Sequence, residues 1–144
     1  MMTVDATAAH VPPMMARMEP RRRAQLLAMP GGADLLCVSI GLSTMTWCGV
    51  DDDGPVTLGG VVTTTDGSGY LWQVITPAIA LHKRAYLRQG HMMMDQMLRT
   101  YARLVTVIEA DYAAALRHAR RLGWHVEAAM DMNGTMACRC WRMR

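Results

Sequence analysis

Asp51-Asp52-Asp53-Gly54 is the densest run of ligand-type side chains in the chain. A calcium loop needs alternating oxygen ligands and a distal glutamate, and three consecutive aspartates do not supply that. Asp and Gly accept the left-handed conformations of a hairpin, so the run reads as a turn. Cys138 and Cys140 would share one face of a strand. A lone C-x-C lacks the spacing and partner ligands of a zinc site. No metal is therefore expected, and Cys37, Cys48, Cys138 and Cys140 read as reduced structural thiols. No Ser–His–Asp or Cys–His arrangement suggests a nucleophile. Arg117, Arg120 and Arg121 make a basic face, with Arg139, Arg142 and Arg144 close to the C-terminus. Residues 1–82 hold 4 basic and 7 acidic side chains, net −3, and residues 83–144 hold 11 and 5, net +6. Such a half can meet an acidic partner, nucleic acid included. Only Trp124 and Trp141 lie near for stacking, so nucleic acid is not the favoured partner. The plainer reading is a solvated helix face.

The elements that must position these residues follow from periodicity. Residues 1–18 have none and read as a flexible N-terminal arm, ordered only if something docks on it. A helix opens at Pro20 and stops at Pro30-Gly31-Gly32. Asp34 can cap a second helix with Leu35, Val38 and Leu42 on its stripe. Three strands follow: near Thr46–Val50, Val56–Thr63 and Tyr70–Thr76, with turns at Asp51–Gly54 and Asp66–Gly69. A long helix carries Tyr86, Leu87, Gly90, Met94, Met97, Leu98 and Tyr101 on one stripe. Leu104–Ile108 is a short apolar run, as a buried central strand requires. Asp111 caps a helix that ends at Gly123. His125–Ala129 and Thr135–Trp141 form a last hairpin around Asn133-Gly134.

At 144 residues, 51% hydrophobic and 19% charged, residues 19–144 suit a single domain with one core. No apolar run is long enough to span a bilayer, and the start has no secretory pattern, so the chain is expected to stay in the cytoplasm. Phenylalanine is absent and methionine numbers 15. Met92-Met93-Met94 cannot all face inward on one helix, and methionine suits adaptable contacts. Residues 1–18, Met92, Met93 and the arginines Arg117, Arg120 and Arg121 are therefore expected at a protein contact.

The order helix, helix, three antiparallel strands, helix, strand, helix, two strands is that of an α+β layer on a mixed, mainly antiparallel sheet. It resembles the GNAT acetyltransferase fold, a sheet flanked by helices on both faces. Asp111 to Trp124, closing on Leu122-Gly123-Trp124, is similar to that family's fourth-helix motif. A narrower resemblance, over about residues 34–127, is to a GNAT-like family of tailed phages that includes internal virion protein A. Six blocks carry it: Trp47–Asp51, Leu58–Val61, Trp72–Thr76, His82–Arg88, Tyr101–Leu104 and Arg121–Trp124. It implies a virion-associated or assembly protein on a catalytically degenerate fold, found in the host cytoplasm and then in the virion. Other virion proteins or a second copy would be its partners.

In active GNAT enzymes, backbone N–H groups after the fourth strand hold the cofactor's pyrophosphate, and glycines let the backbone approach. Here Thr76 is followed by Pro77-Ala78-Ile79-Ala80-Leu81-His82, and no glycine comes before Gly90. The expectation is therefore no cofactor, with Ile79, Leu81 or His82 blocking the helix start. Should the chain instead be an acetyl-CoA-dependent N-acetyltransferase, Thr76, Lys83, Arg84 and Arg88 are the cofactor-binding candidates. Gln73 stands where the family often has a base and cannot take a proton. Ala119 replaces the usual tyrosine acid, which leaves Glu109 and Tyr112 as the catalytic candidates.

Overall fold

A computed structural model describes residues 1–144. The elements run β1 (Met2–Val4), α1 (Val11–Arg17), α2 (Pro20–Ala28), α3 (Leu35–Leu42), β2 (Met45–Asp51), β3 (Gly54–Thr63), β4 (Gly69–Ile75), α4 (Lys83–Thr100), β5 (Arg103–Glu109), α5 (Ala113–Arg121), β6 (His125–Val126), β7 (Met130–Met132) and β8 (Thr135–Met143). Short 3-10 turns occupy Ala8–His10, Gly32–Asp34 and Pro77–Leu81. The strands form one 8-stranded sheet in the order β1-β2-β3-β4-β5-β8-β6, with β7 on β8. The pairs β1–β2, β2–β3, β5–β8, β6–β8 and β7–β8 are antiparallel, and β4–β5 is parallel. This is the expected α+β architecture, with β5 as a central strand. No single helix is long and apolar enough to cross a membrane.

The chain divides into two compact units, residues 1–62 with 72–86, and residues 63–71 with 87–144. In the first unit the core contains Ala6, Val11, Met14, Met18, Leu26, Leu36, Cys48 and Leu58. The N-terminal 18 residues are thus part of the fold rather than an arm. Met2, Thr3 and Val4 pair with Val50, Gly49 and Cys48. Pro12 and Pro13 fall in the first turn of α1, where a missing N–H costs nothing. Val11, Met14 and Met18 then share one helical stripe and are buried. On α3 the buried residue is Leu36, whereas Val38 and Leu42 are exposed, contrary to the stripe read from the sequence.

Gly59 and Gly60 let two indoles cross the same strand. Trp47 lies opposite Gly59 in the β2–β3 register. A Cβ at Gly59 would sit 2.7 Å from two carbons of the Trp47 ring. At Gly60 it would meet Ser43 Oγ at 2.6 Å and Trp72 Nε1 at 2.9 Å. Those two atoms share a 2.8 Å hydrogen bond in which the indole N–H donates. Gly59→Ala should therefore cost about 2–3 kcal/mol in urea unfolding, because a buried indole cannot yield cheaply. Gly41→Ala meets nothing within 4 Å on α3 and should gain up to about 1 kcal/mol. Equal effects at the two positions would contradict the packing argument.

In the second unit β4 starts parallel to β5, with Gly69 beside Leu104 and Tyr70 beside Val105. Thr106 Oγ1 donates to Leu71 O at 2.8 Å. β5 pairs with β8 along its whole length, from Arg103–Met143 to Glu109–Ala137. The buried residues of α4 are Gln89, Met93, Met94 and Met97. Met93 therefore belongs to the inward face and is not the outward contact expected of it, whereas Met92 is exposed. Gly90 packs on α5, since a Cβ there would lie 2.9 Å from Leu122 Cδ1. β7 and β8 turn at Asn133 and Gly134, both at positive φ (55° and 89°), as the Asn-Gly pair predicts.

Candidate functional site

Lys83 and Arg84 begin α4, an 18-residue helix that follows β4 after one 3-10 turn. The carbonyl of His82 accepts the first helical hydrogen bond, from Tyr86 N at 2.8 Å. Helix geometry leaves the N–H groups of Lys83, Arg84 and Ala85 without intrahelical acceptors. Both cationic side chains are exposed, and neither has an ion-pair partner. Three first-turn amides, two exposed cations and the positive helix end together favour an anion. Of the side chains expected to block this start, Ile79 is half-buried. Leu81 is 82% exposed, and the ring of His82 is drawn onto Asp51. The charge and donors thus fit a phosphate group, although the close approach that glycines permit is missing.

Thr76 takes no part in this surface. It is buried, and both its N–H and its hydroxyl donate to Val56 O, at 3.0 and 3.1 Å. Its carbonyl accepts Ile79 N at 3.1 Å. Every polar group of Thr76 is committed to the protein, which removes it as a ligand for a cofactor. Arg88 is exposed but lies in the second turn of α4, where the helix end exerts less field. Gln73, on β4, accepts the Tyr86 hydroxyl at 3.0 Å through Oε1.

A cluster not foreseen from the sequence sits behind the α4 start. Arg17 donates to both Asp51 oxygens, NH1 to Oδ1 at 2.9 Å and NH2 to Oδ2 at 3.3 Å. His82 Nε2 lies 3.1 Å from Asp51 Oδ2. Asp53 N also donates to Asp51 Oδ1, at 2.9 Å. The Arg17 guanidinium holds the Asp51 carboxyl well below the usual carboxylate range, opposed by partial burial and helped by the Asp53 amide and His82. No local signal announces this cluster, because its members are 31 and 34 residues from Asp51 in sequence.

Glu109 and Tyr112 occupy the turn from β5 to α5. Tyr112 N donates to Glu109 O at 3.0 Å, and both side chains are half-buried. Arg117, Arg120 and Arg121 are all exposed on α5. No group of three or more His, Cys, Asp or Glu side chains is placed to hold a metal ion. Cys48 and Cys140 are buried free thiols, and burial pushes each up to about 11, which suits inert packing.

His118 is half-buried, and a Cβ on Gly90 would lie 3.4 Å from its Nε2. Burial, with Arg121 and His91 beside it, lowers its pKa from 6.5 to about 4. The unfolded chain binds a proton more readily in that interval, so stability should fall as pH drops from about 6.5 toward 4. Above that window His118 contributes no pH dependence. Urea unfolding from pH 7 to 4.5 should show the slope, and His118→Gln should flatten it. An unchanged slope in the variant would assign the effect to other groups.

No family model and no curated protein matches the sequence. The fold does have solved relatives. The aminoglycoside acetyltransferase AAC(6')-Ib, crystallised with coenzyme A and kanamycin, superposes with TM-score 0.72 at 10% identity, covering 99% of this chain and 94% of that one. A GNAT-family acetyltransferase from Streptococcus pneumoniae gives 0.66 at 10% identity, covering 99% and 98%. The ribosomal-protein-S18-alanine N-acetyltransferase from Escherichia coli gives 0.68 at 14%, covering 99% and 92%. Further structures of AAC(6')-Ib hold acetyl-CoA or coenzyme A. Bound coenzyme A on the same architecture overturns the expectation of no cofactor. A helix start with exposed cations supplies donors and charge for a phosphate without a glycine cradle. At these identities the likeness speaks for architecture, and the chain has the mixed α+β fold of the GNAT acetyltransferases.

Proposed function

We propose that this chain is an acetyl-CoA-dependent N-acetyltransferase. The observation that carries the reading is the full-length likeness to coenzyme A-binding acetyltransferases, covering 99% of the chain. Lys83, Arg84 and the first-turn amides of α4 support it as the groups that would hold the cofactor's phosphates. The cofactor, when bound, supplies an acetyl group activated as a thioester. An amine attacks such a carbonyl only as the free base, so a carboxylate that accepts the ammonium proton speeds the step. Glu109 is the residue we assign to that role, with Tyr112 as the candidate acid; each would accept or hold a proton at its own carboxylate or hydroxyl oxygen.

Calorimetric titration with acetyl-CoA tests the reading. Micromolar binding, about −8 kcal/mol, is expected. Release of free thiol in the presence of a panel of amines should follow, and should fall in Glu109→Gln. Absence of heat up to millimolar acetyl-CoA would sink the proposal.

The six sequence blocks favour a second reading, a virion-associated or assembly protein of the internal virion protein A type. Exposed Met92, Arg117, Arg120 and Arg121 would then meet a virion component or a second copy. Mass spectrometry of purified phage particles separates the two: presence in the particle supports the second reading, and absence removes it.

A further inference from the structure

His82 has two structural roles at once. Its carbonyl accepts the first hydrogen bond of α4, and its ring binds Asp51. Asp51 closes β2, beside the turn into β3, and is held in turn by the end of α1. Arg17 grips both carboxylate oxygens and also donates to Pro55 O at 3.1 Å. Three segments remote in sequence thus meet at one carboxylate: the last residue of α1, the β2–β3 hairpin and the residue before α4. The Asp51 side chain is 14% exposed and those of Arg17 and His82 22% each, so water competes only partly for these bonds.

The arrangement matters because of what the preceding turn lacks. Pro77 to Leu81 contains no glycine to wrap around a ligand. The first turn of α4 must therefore be aimed by something else. A bidentate arginine–carboxylate pair is among the stiffest links available, since its two parallel bonds fix both distance and plane. Arg17 also cancels the negative charge of Asp51, so the cluster can sit beside an anion site without repelling the anion.

We propose that the Arg17–Asp51–His82 cluster aims the first turn of α4 at the diphosphate of acetyl-CoA, with Asp51 and His82 as its positioning residues. This rests on the acetyltransferase reading given above. Neither residue touches the ligand. Each acts by keeping the amides of Lys83, Arg84 and Ala85, and the two cationic side chains, in one orientation.

Three variants test it: His82→Leu, His82→Gln and Asp51→Asn. Acetyl-CoA binding is read by calorimetry, and the order of the α4 start by hydrogen exchange at Tyr86. His82→Leu and Asp51→Asn should each weaken binding about tenfold, the effect of losing one hydrogen bond to a charged group. Both should speed exchange at Tyr86 while the β5–β8 ladder keeps its protection. His82→Gln retains an amide that can donate to Asp51, and should bind within about threefold of the parent. That rescue separates positioning from general damage to the fold. Should Asp51→Asn fail to fold, the two His82 variants carry the test alone. Parent-like binding in His82→Leu, or unchanged exchange at Tyr86, overturns the positioning role and leaves the acetyltransferase reading standing. A parent protein that does not bind acetyl-CoA overturns that reading and the positioning role with it, whatever the exchange data show.

Discussion

Deleting residues 1–18 is expected to abolish cooperative unfolding. Met14 has 0% of its surface exposed, and Val11 and Met18 have 5% each. Full burial of side chains of this kind contributes about 1.5–3 kcal/mol apiece, so the three account for about 5–9 kcal/mol. A domain of this size is stable by only about 5–15 kcal/mol in total. The deletion would also strip cover from Leu26, Leu36, Cys48 and Leu58, which share the same core. It would leave Asp51, a partly shielded carboxylate, without its bidentate partner. A thermal melt followed by circular dichroism should lose its sharp transition, and the chain should bind a hydrophobic dye at room temperature. A cooperative melt within a few degrees of the full chain would mean that the N-terminal helix is an appendage after all. Met14→Ala offers a milder version, at about 2–5 kcal/mol.

Pro12-Pro13 looks like a helix breaker, yet in the first turn of α1 it is compatible with a helix. With seven residues, α1 is too short for its stripe to stand out from chance. The α3 face failed for another reason: Leu35 to Leu42 is apolar nearly all round, so no face is marked, and tertiary packing alone selected Leu36. By contrast, β5, α5, the Gly123 cap at φ 83° and the Asn133-Gly134 hairpin were legible, because local chemistry and global fold agree there. On α4 the Met94 and Met97 stripe was legible, but not the burial of Gln89 and Met93. The candidate site was half legible. Lys83 and Arg84 announce themselves as cations at a helix start. Asp51 looks like any hairpin aspartate, and only tertiary structure brings Arg17 and His82 to it.

Reversing both charges, Lys83→Glu with Arg84→Glu, should reduce acetyl-CoA affinity by at least about a hundredfold. Two charge-assisted contacts to phosphate are removed, each worth about 1.5–3 kcal/mol, and two repelling charges replace them. The fold should not suffer. Glutamate in the first turn of a helix is favoured by the helix dipole, by about 0.3–1 kcal/mol, so α4 should start at least as firmly as before. Loss of binding with an unchanged or raised melting temperature then identifies an effect on the ligand alone. The position along the helix supplies an internal control. Arg88→Ala, one turn further on, should weaken binding only a few-fold, because the field of the helix end fades within its first turn. Salt should weaken the parent's binding more than that of the doubly reversed variant, since screening acts on the attraction the variant has lost. If the reversed protein binds acetyl-CoA as the parent does, the phosphates lie elsewhere, and the start of α4 is only a well-anchored helix end.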